Sequence, residues 1–425
     1  MQERFSAALR AYSVGLLTLI WSANYLDRQI FSILLQSIKT EMGLTDTQLG
    51  LVSGLAFSVF YATFGLPLAY LADRVNRKRL IICALSLFSI MTYVCGLAQN
   101  FWQLLLARMG VGIGEAGTNP ASVAMIADMY PEQERATPMG IFALGANAGI
   151  FLAFFFGGWL ADHYGWRATF QIVALPGLVI AVLAALTMRE PRRGQSETNE
   201  SANEKAALFR ETLKFMFSAP SMRHLIIALA LVFAISYGTI TWTPAHLIRV
   251  HEMSATQIGM TLALIIGLGG GIGTALCGFL ADRLGKIDVR WNFWLLACIA
   301  LASAPFLLLT YNSESTFLTI VFLIPAISLN MAYLGPALAM MQSLVRPNMR
   351  ATASAVVFFI GNLIGLGLGP LIVGRISDII APTYGAWSLS VGLSILAVIS
   401  IWAAVHFLLA ARSLHADLMR PNRTI

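Results

Sequence analysis

Twelve apolar runs, each long enough for a helix to cross a bilayer, divide this 425-residue chain, and polar residues gather in the short stretches between them. The first six fall at about 12–35, 49–72, 80–98, 101–127, 139–160 and 168–188. The second six fall at about 225–248, 258–281, 293–311, 317–344, 351–376 and 386–411. A helix rises about 1.5 Å per residue and the hydrocarbon layer is about 30 Å thick, so runs of this length predict membrane spans. The expected fold is an all-α membrane protein of twelve transmembrane helices in two pseudo-symmetric six-helix bundles, at 1–188 and 224–425. Residues 189–223 read as a linker, first flexible and solvated, then an amphipathic helix lying at the interface from Ala206 to Phe217.

Composition agrees. At 57% hydrophobic and 12% charged residues, with a mean hydropathy of +0.73, the chain is too apolar for a soluble domain of this length. Its net charge of +7 lies in short loops between apolar runs, the pattern of a cytoplasmic loop bias and not of a nucleic-acid patch. With a cytoplasmic N-terminus, roughly 22 Lys and Arg fall on the cytoplasmic side and about 4 outside, with Arg28 and Arg108 left in the membrane. The four cysteines have neither metal spacing nor a disulfide framework, and no cofactor or metal is expected. Arg4 and Arg10 before the first run imitate a signal peptide, but that run carries Asp27-Arg28 and no cleavage site, so it is expected to stay as a span.

A repeat organises the loops. Leu71-Ala72-Asp73-Arg74 closes the second run and Leu280-Ala281-Asp282-Arg283 the eighth. Leu160-Ala161-Asp162 follows the fifth and Ile376-Ser377-Asp378 the eleventh. Four phased copies in four blocks of three spans indicate a duplicated and reduplicated transporter architecture, which argues for alternating access over a channel. An intramembrane enzyme would need a His-Glu-x-x-His, Ser/His/Asp or Cys/His set, and the chain has none.

The most unusual residues are charges inside the runs. Asn24-Tyr25-Leu26-Asp27-Arg28 sits within the first, and Arg108 and Glu115 within the fourth. A charge near a span's centre costs about 2.5 to 3.5 kcal/mol on insertion scales, and such groups usually line a pathway. Buried ion pairs are poor stabilisers, so a merely structural role is the weaker reading. Arg108 and Glu115 share one helix face about 10 Å apart along the axis, too far to pair with each other.

Gly278-Phe-Leu-Ala-Asp282-Arg283-Leu-Gly285-Lys286 resembles the loop motif of the major facilitator superfamily. Its first-half copy runs from Ala69 through Asp73, Arg74, Asn76 and Arg77 to Lys78, with Ala and Asn at the two glycine positions. The resemblance implies a cytoplasmic gate of Asp73, Arg74, Arg77, Asp128, Asp282, Arg283 and Lys286, with Asp128 as acceptor for the first-half loop. Asn24-Tyr-Leu-Asp27-Arg28 and Arg108-Met-Gly-Val-Gly-Ile-Gly-Glu115 look more narrowly like the spinster family, bacterial branch. That resemblance implies a transporter of sphingosine-1-phosphate or lysophospholipid-like amphiphiles, coupled to protons and seated as a monomer in a bacterial inner membrane, with both termini cytoplasmic. A porter of small organic anions or drugs is the alternative.

In this superfamily the first and fourth spans are neighbours at the cavity. Asp27 is therefore expected to meet Arg108, and Arg28 to meet Glu115. Asp27 and Glu115 are the candidate proton sites, and Arg28 and Arg108 the ion-pair network, with Arg28 positioned to grip an anionic head group bidentately. The second half carries no charge deep in a span. Candidate cavity residues are Asn24, Tyr25, Thr118, Asn119 and Asn147 in the first half and Tyr237, Trp242, Asn330, Tyr333 and Asn362 in the second. Aromatic and uncharged polar walls suit an acyl chain better than a sugar.

Overall fold

The computed structural model describes residues 6–72, 74–193 and 209–419, and every regular element among them is helical. Span 1 is one helix, Ala7–Met42, begun by the Ser6 side chain and ended by Gly43, whose left-handed backbone (φ +64°) releases the chain into the next turn. Span 2 follows as Asp46–Gly50, a π-turn at Leu51–Leu55 and Ala56–Ala72. Span 3 is Arg77–Leu97. Span 4 breaks at Gly117 into Phe101–Ala116 and Thr118–Met129. Spans 5 and 6 form a continuous Ala136–Thr187 element, folded at Gly165 (φ +75°).

The second half repeats this plan. The expected flexible linker lies largely outside the described residues, and the amphipathic helix is Phe209–Ser218, with Thr212 and Met216 buried and Phe209 exposed. Span 7 is Pro220–His251, ended by Glu252 in the left-handed region. Span 8 runs Ala255–Leu264, a π-turn at Ile265–Gly270, and Gly271–Gly285. Span 9 is Trp291–Asn312. Span 10 breaks between Thr316–Met331 and Leu334–Leu344. Span 11 is Arg350–Ile360, a π-turn at Gly361–Leu366 and Gly367–Tyr384, and span 12 is Ser388–Leu418. π-turns and mid-span breaks free backbone groups from the helix ladder and recur where helices carry function.

Two compact units result. One comprises Met1–Leu44, Leu55–Asn203 and Met253–Ala263; the other comprises Thr45–Gly54, Glu204–Glu252 and Leu264–Ile425. Each is built on six spans, with the opening turns of spans 2 and 8 exchanged between them. In the first unit, span 1 packs along spans 5 and 6, and span 4 between spans 2 and 3. Glycine makes that last contact close: a Cβ at Gly112 would stand 2.7 Å from the Phe57 carbonyl, and one at Gly114 2.7 Å from Phe88. In the second unit, spans 7, 9 and 12 share a core that includes Phe293, Leu296, Ala403 and Phe407.

Candidate functional site

Spans 1, 2, 3 and 4 of the first unit gather the intramembrane charges. Arg28 is 7% exposed and Glu115 fully buried. Arg28 directs Nη2 at 2.6 Å and Nε at 3.2 Å onto one oxygen of Glu115, Oε2, and leaves Oε1 without a hydrogen-bond partner. Three aromatic rings surround the guanidinium, those of Tyr25 at 5.2 Å, Phe57 at 4.9 Å and Tyr61 at 5.0 Å. A weakly hydrated planar cation is suited to such surroundings, where a lysine ammonium is not.

The expected second pair is not made. Asp27 accepts a hydrogen bond from Thr92 of span 3 at 2.5 Å, and among the described residues no ion pair joins it to Arg108. Arg108 is 1% exposed and lies over Phe31 at 4.9 Å and Phe57 at 5.3 Å, with Nε and Nη1 unpartnered. The carboxylate that sequence depth matched to Arg108 is drawn sideways to a hydroxyl on span 3. Phe57 thus faces both arginines. At the break in span 4, Thr118 donates to Asn24 Oδ1 at 2.7 Å, which joins spans 1 and 4 and leaves Asn24 Nδ2 unpartnered.

An unpartnered buried polar atom costs about 1–3 kcal/mol, and more when charged. This one region holds five: Asn24 Nδ2, Asp27 Oδ2, Arg108 Nε and Nη1, and Glu115 Oε1. A cluster of this kind is built to receive further hydrogen-bonding partners. Thr92, Phe57 and Tyr61 belong to it and had no signature in the sequence, since threonine and aromatic residues in apolar runs are ordinary.

The remaining candidates divide. Tyr25 joins the site; Asn119 is half-buried and Asn147 exposed. In the second unit, Ser236 bonds Asn330 at 2.8 Å and Tyr237 reaches Asn362 at 3.4 Å, with Tyr333 edge-on to Phe233. Trp242 is fully buried, and its Nε1 donates to the Pro370 carbonyl at 2.8 Å, so its polar atom is already engaged. Among the described residues no three His, Cys, Asp or Glu side chains come together as a metal site.

The loop motifs behave unequally. Arg77 pairs with Asp128 and, at 3.3 Å, with Glu190, whose carboxylate also accepts the backbone N–H groups of Arg77 and Lys78 at the start of span 3. Glu190 was not anticipated. Arg74 stacks on Tyr70 at 3.5 Å, and Arg77 is the loop residue that takes Asp128 as its acceptor. Asp73 lies outside the described residues. Asp282 and Lys286 are exposed, and Arg283 lies over Phe279 at 4.7 Å.

Two further carboxylates, seen in the sequence only as repeat endings, cap helices. Asp378 accepts the backbone N–H groups of Asp46 and Thr47 at 2.9 and 2.7 Å and the Thr47 hydroxyl at 2.5 Å. Asp162 does the same for Ala255 and Thr256 at 3.2, 2.7 and 2.6 Å. Behind them stand matching capping boxes, Thr45 with Gln48 and Ser254 with Gln257. Among the described residues, only the first clamp adds an ion pair: Arg249 holds Asp46 bidentately at 2.7 Å, and Ser377 donates to the same carboxylate at 2.6 Å.

Two six-span units with broken fourth and tenth spans and a charged cluster inside the first define a secondary transporter. Residues 17–370 match the family model of the Major Facilitator Superfamily, and the chain belongs to that superfamily. It is 32% identical over 412 residues to an MFS-type efflux pump of Mycolicibacterium smegmatis, covering 97% of this chain and 95% of that one. It is 28% identical over 356 residues to a probable 4-methylmuconolactone transporter of Cupriavidus pinatubonensis, covering 82% and 79%. A crystal structure of a bacterial homologue of the human lysosomal transporter Spinster, inward-facing and unoccupied, superposes with a TM-score of 0.90 at 31% identity, covering 98% of this chain and all of that one. The chain is a membrane transporter, similar to spinster-type members, and not an enzyme.

Proposed function

We propose that this protein is a proton-coupled, alternating-access transporter of an anionic amphiphile of the lysophospholipid or sphingosine-1-phosphate type. It works as a monomer in a bacterial inner membrane with both termini cytoplasmic. The observation that carries the reading is the buried Arg28–Glu115 pair, in which one carboxylate oxygen holds the guanidinium, the other is unpartnered, and three aromatic rings enclose the cation.

A phosphate or carboxylate head group competes with Glu115 for Arg28, because a guanidinium binds either anion in the same forked geometry. Glu115 then loses its cation, and a buried carboxylate with no cation takes a proton rather than remain bare. Asp27, held by the neutral Thr92 hydroxyl, is the second place where a proton can rest. Rebinding of Arg28 to Glu115 expels both substrate and proton, which makes the exchange stoichiometric. At the Arg77 end, the Arg77–Asp128–Glu190 cluster acts as the cytoplasmic gate.

The second reading is a proton-coupled porter of small organic acids, supported by the likeness to the muconolactone transporter. Proteoliposomes under an imposed pH gradient separate the two. Oleoyl lysophosphatidic acid and sphingosine-1-phosphate should move with the gradient and 4-methylmuconolactone should not. Movement of the small acid alone overturns the lipid reading, and transport indifferent to the gradient overturns proton coupling.

A further inference from the structure

Spans 7 and 12 of the second unit are joined by a pair of histidines. His224 is the fifth residue of span 7, and His406 stands about three turns before the end of span 12. Both rings are half-buried, so protons can reach them. Their Nδ1 atoms lie 2.9 Å apart and their ring centroids 5.1 Å. The two separations differ by roughly the width of one imidazole ring, so the rings meet tip to tip, each Nδ1 aimed at the other.

Size decides what fits between two opposed ring nitrogens. A metal ion bonds an imidazole nitrogen at about 2.0–2.1 Å, so one lying between them would need a gap of about 4 Å. The gap of 2.9 Å takes a hydrogen instead. A neutral imidazole has one N–H and one bare nitrogen. With both rings neutral, one Nδ1–H donates to the other Nδ1. A first added proton goes to the donor's Nε2; the same hydrogen bond remains and becomes charge-assisted. A second added proton puts a hydrogen on both Nδ1 atoms, and the contact turns into N–H against N–H and cation against cation.

Nothing nearby offsets that second charge. Arg223, next to His224, adds a further cation. Asp417 of span 12 is engaged by the Ser221 backbone N–H at 2.8 Å and its hydroxyl at 2.5 Å. Asp288 holds Arg290 at 2.7 Å and lies 3.7 Å from His415. Among the described residues no carboxylate pairs with either ring. Trp402, one turn before His406, stands 6.1 Å from it and carries no charge. Beside the pair, Leu225, Leu229, Ala403 and Phe407 belong to the buried core, so spans 7 and 12 remain packed there in any protonation state.

We propose that the His224–His406 pair is an acid-released tie: it holds the first turns of span 7 to span 12 while at most one ring is charged, and lets them go when both are. Span 7 starts one residue after the amphipathic helix Phe209–Ser218, at Pro220, so release loosens the joint between that helix and the span. The device is independent of what the chain carries.

The test uses purified full-length protein labelled with 15N-histidine and titrated by NMR from about pH 8 to about pH 5, across the ordinary histidine range. In wild type the two rings should titrate as one coupled pair, in two steps at least about one pH unit apart. In His406→Gln and in His224→Gln the remaining ring should titrate in a single step; unchanged signals from the other histidines check that each variant is folded. Amide hydrogen exchange over residues 220–228, corrected for its intrinsic pH dependence, should quicken at least about tenfold through the second step in wild type and lack that step in both variants. Independent single-step titration of both rings in wild type overturns the shared hydrogen. Coupled titration with no change in exchange overturns the release.

Discussion

The two halves share a backbone plan and differ in chemistry. Spans 1 and 4 place Asp27, Arg28, Arg108 and Glu115 in the membrane, while the corresponding positions of spans 7 and 10 hold Ser236, Tyr237, Leu323 and Asn330. At the loop motif, Arg77 is tied into Asp128 and Glu190, while its counterpart Lys286 is exposed. At the helix starts the two clamps match, but Asp46 has an arginine and Ala255 does not. The two copies therefore share breaks, caps and close helix contacts, and the charge deep in the spans lies on the first copy. Intramembrane charge is costly to keep, so one ionic site with a neutral counterpart holds the titratable load in a single place.

The sharpest way to break this comparison is at the buried pair. Arg28→Ala or Glu115→Gln leaves an unpaired charge or a weakened grip, and transport driven by a pH gradient should fall by at least about a hundredfold. Arg28→Lys should rescue little, because an ammonium lacks the fork and is more strongly hydrated than a guanidinium. If uptake in proteoliposomes survives in all three, the charged half is not the working half.

Asp27→Asn should have the next largest effect. It keeps shape and leaves Thr92 a partner, so ligand binding should persist while transport loses its response to the imposed gradient. Substrate flux recorded alongside internal pH decides this, and retained coupling would remove Asp27 from the proton path.

The clamps give a stability comparison. Asp46→Ala takes the bidentate carboxylate away from Arg249 and should cost about 3 kcal/mol in reversible unfolding. Restoring the alanine that the other clamp already has, with Arg249→Leu in the same chain, should recover much of that loss, since replacing both partners removes the uncompensated charge. No recovery in the double variant would show that the pair does more than anchor the start of span 2.

The smallest effect is expected at Asn147, an exposed residue outside the ionic cluster's hydrogen bonds. Asn147→Leu should change stability by less than about 0.5 kcal/mol and leave transport unchanged. A loss of transport there would mean that the substrate path runs along span 5.

Much was legible beforehand. Twelve runs of spanning length, the four apolar-small-Asp endings and the four intramembrane charges follow from the order of residues alone, because crossing a bilayer demands continuous apolar helix and burying a charge is too costly to be accidental. The Arg28–Glu115 pair was also foreseeable, from the depths of two helices known to be neighbours. The hydrogen-bond partner of Asp27 was not, because depth along an axis says nothing about rotation around it and gave no sign of Thr92. Phe57, Tyr61 and Thr92 carry no signal in an apolar run, where such residues are common. Glu190 reads as linker until the chain folds back to cap span 3. Sequence determined which segments enter the membrane and which charges must be sheltered there; only tertiary packing decided which groups shelter them, because hydrophobic length is a one-dimensional property and pairing depends on three-dimensional proximity and rotamer.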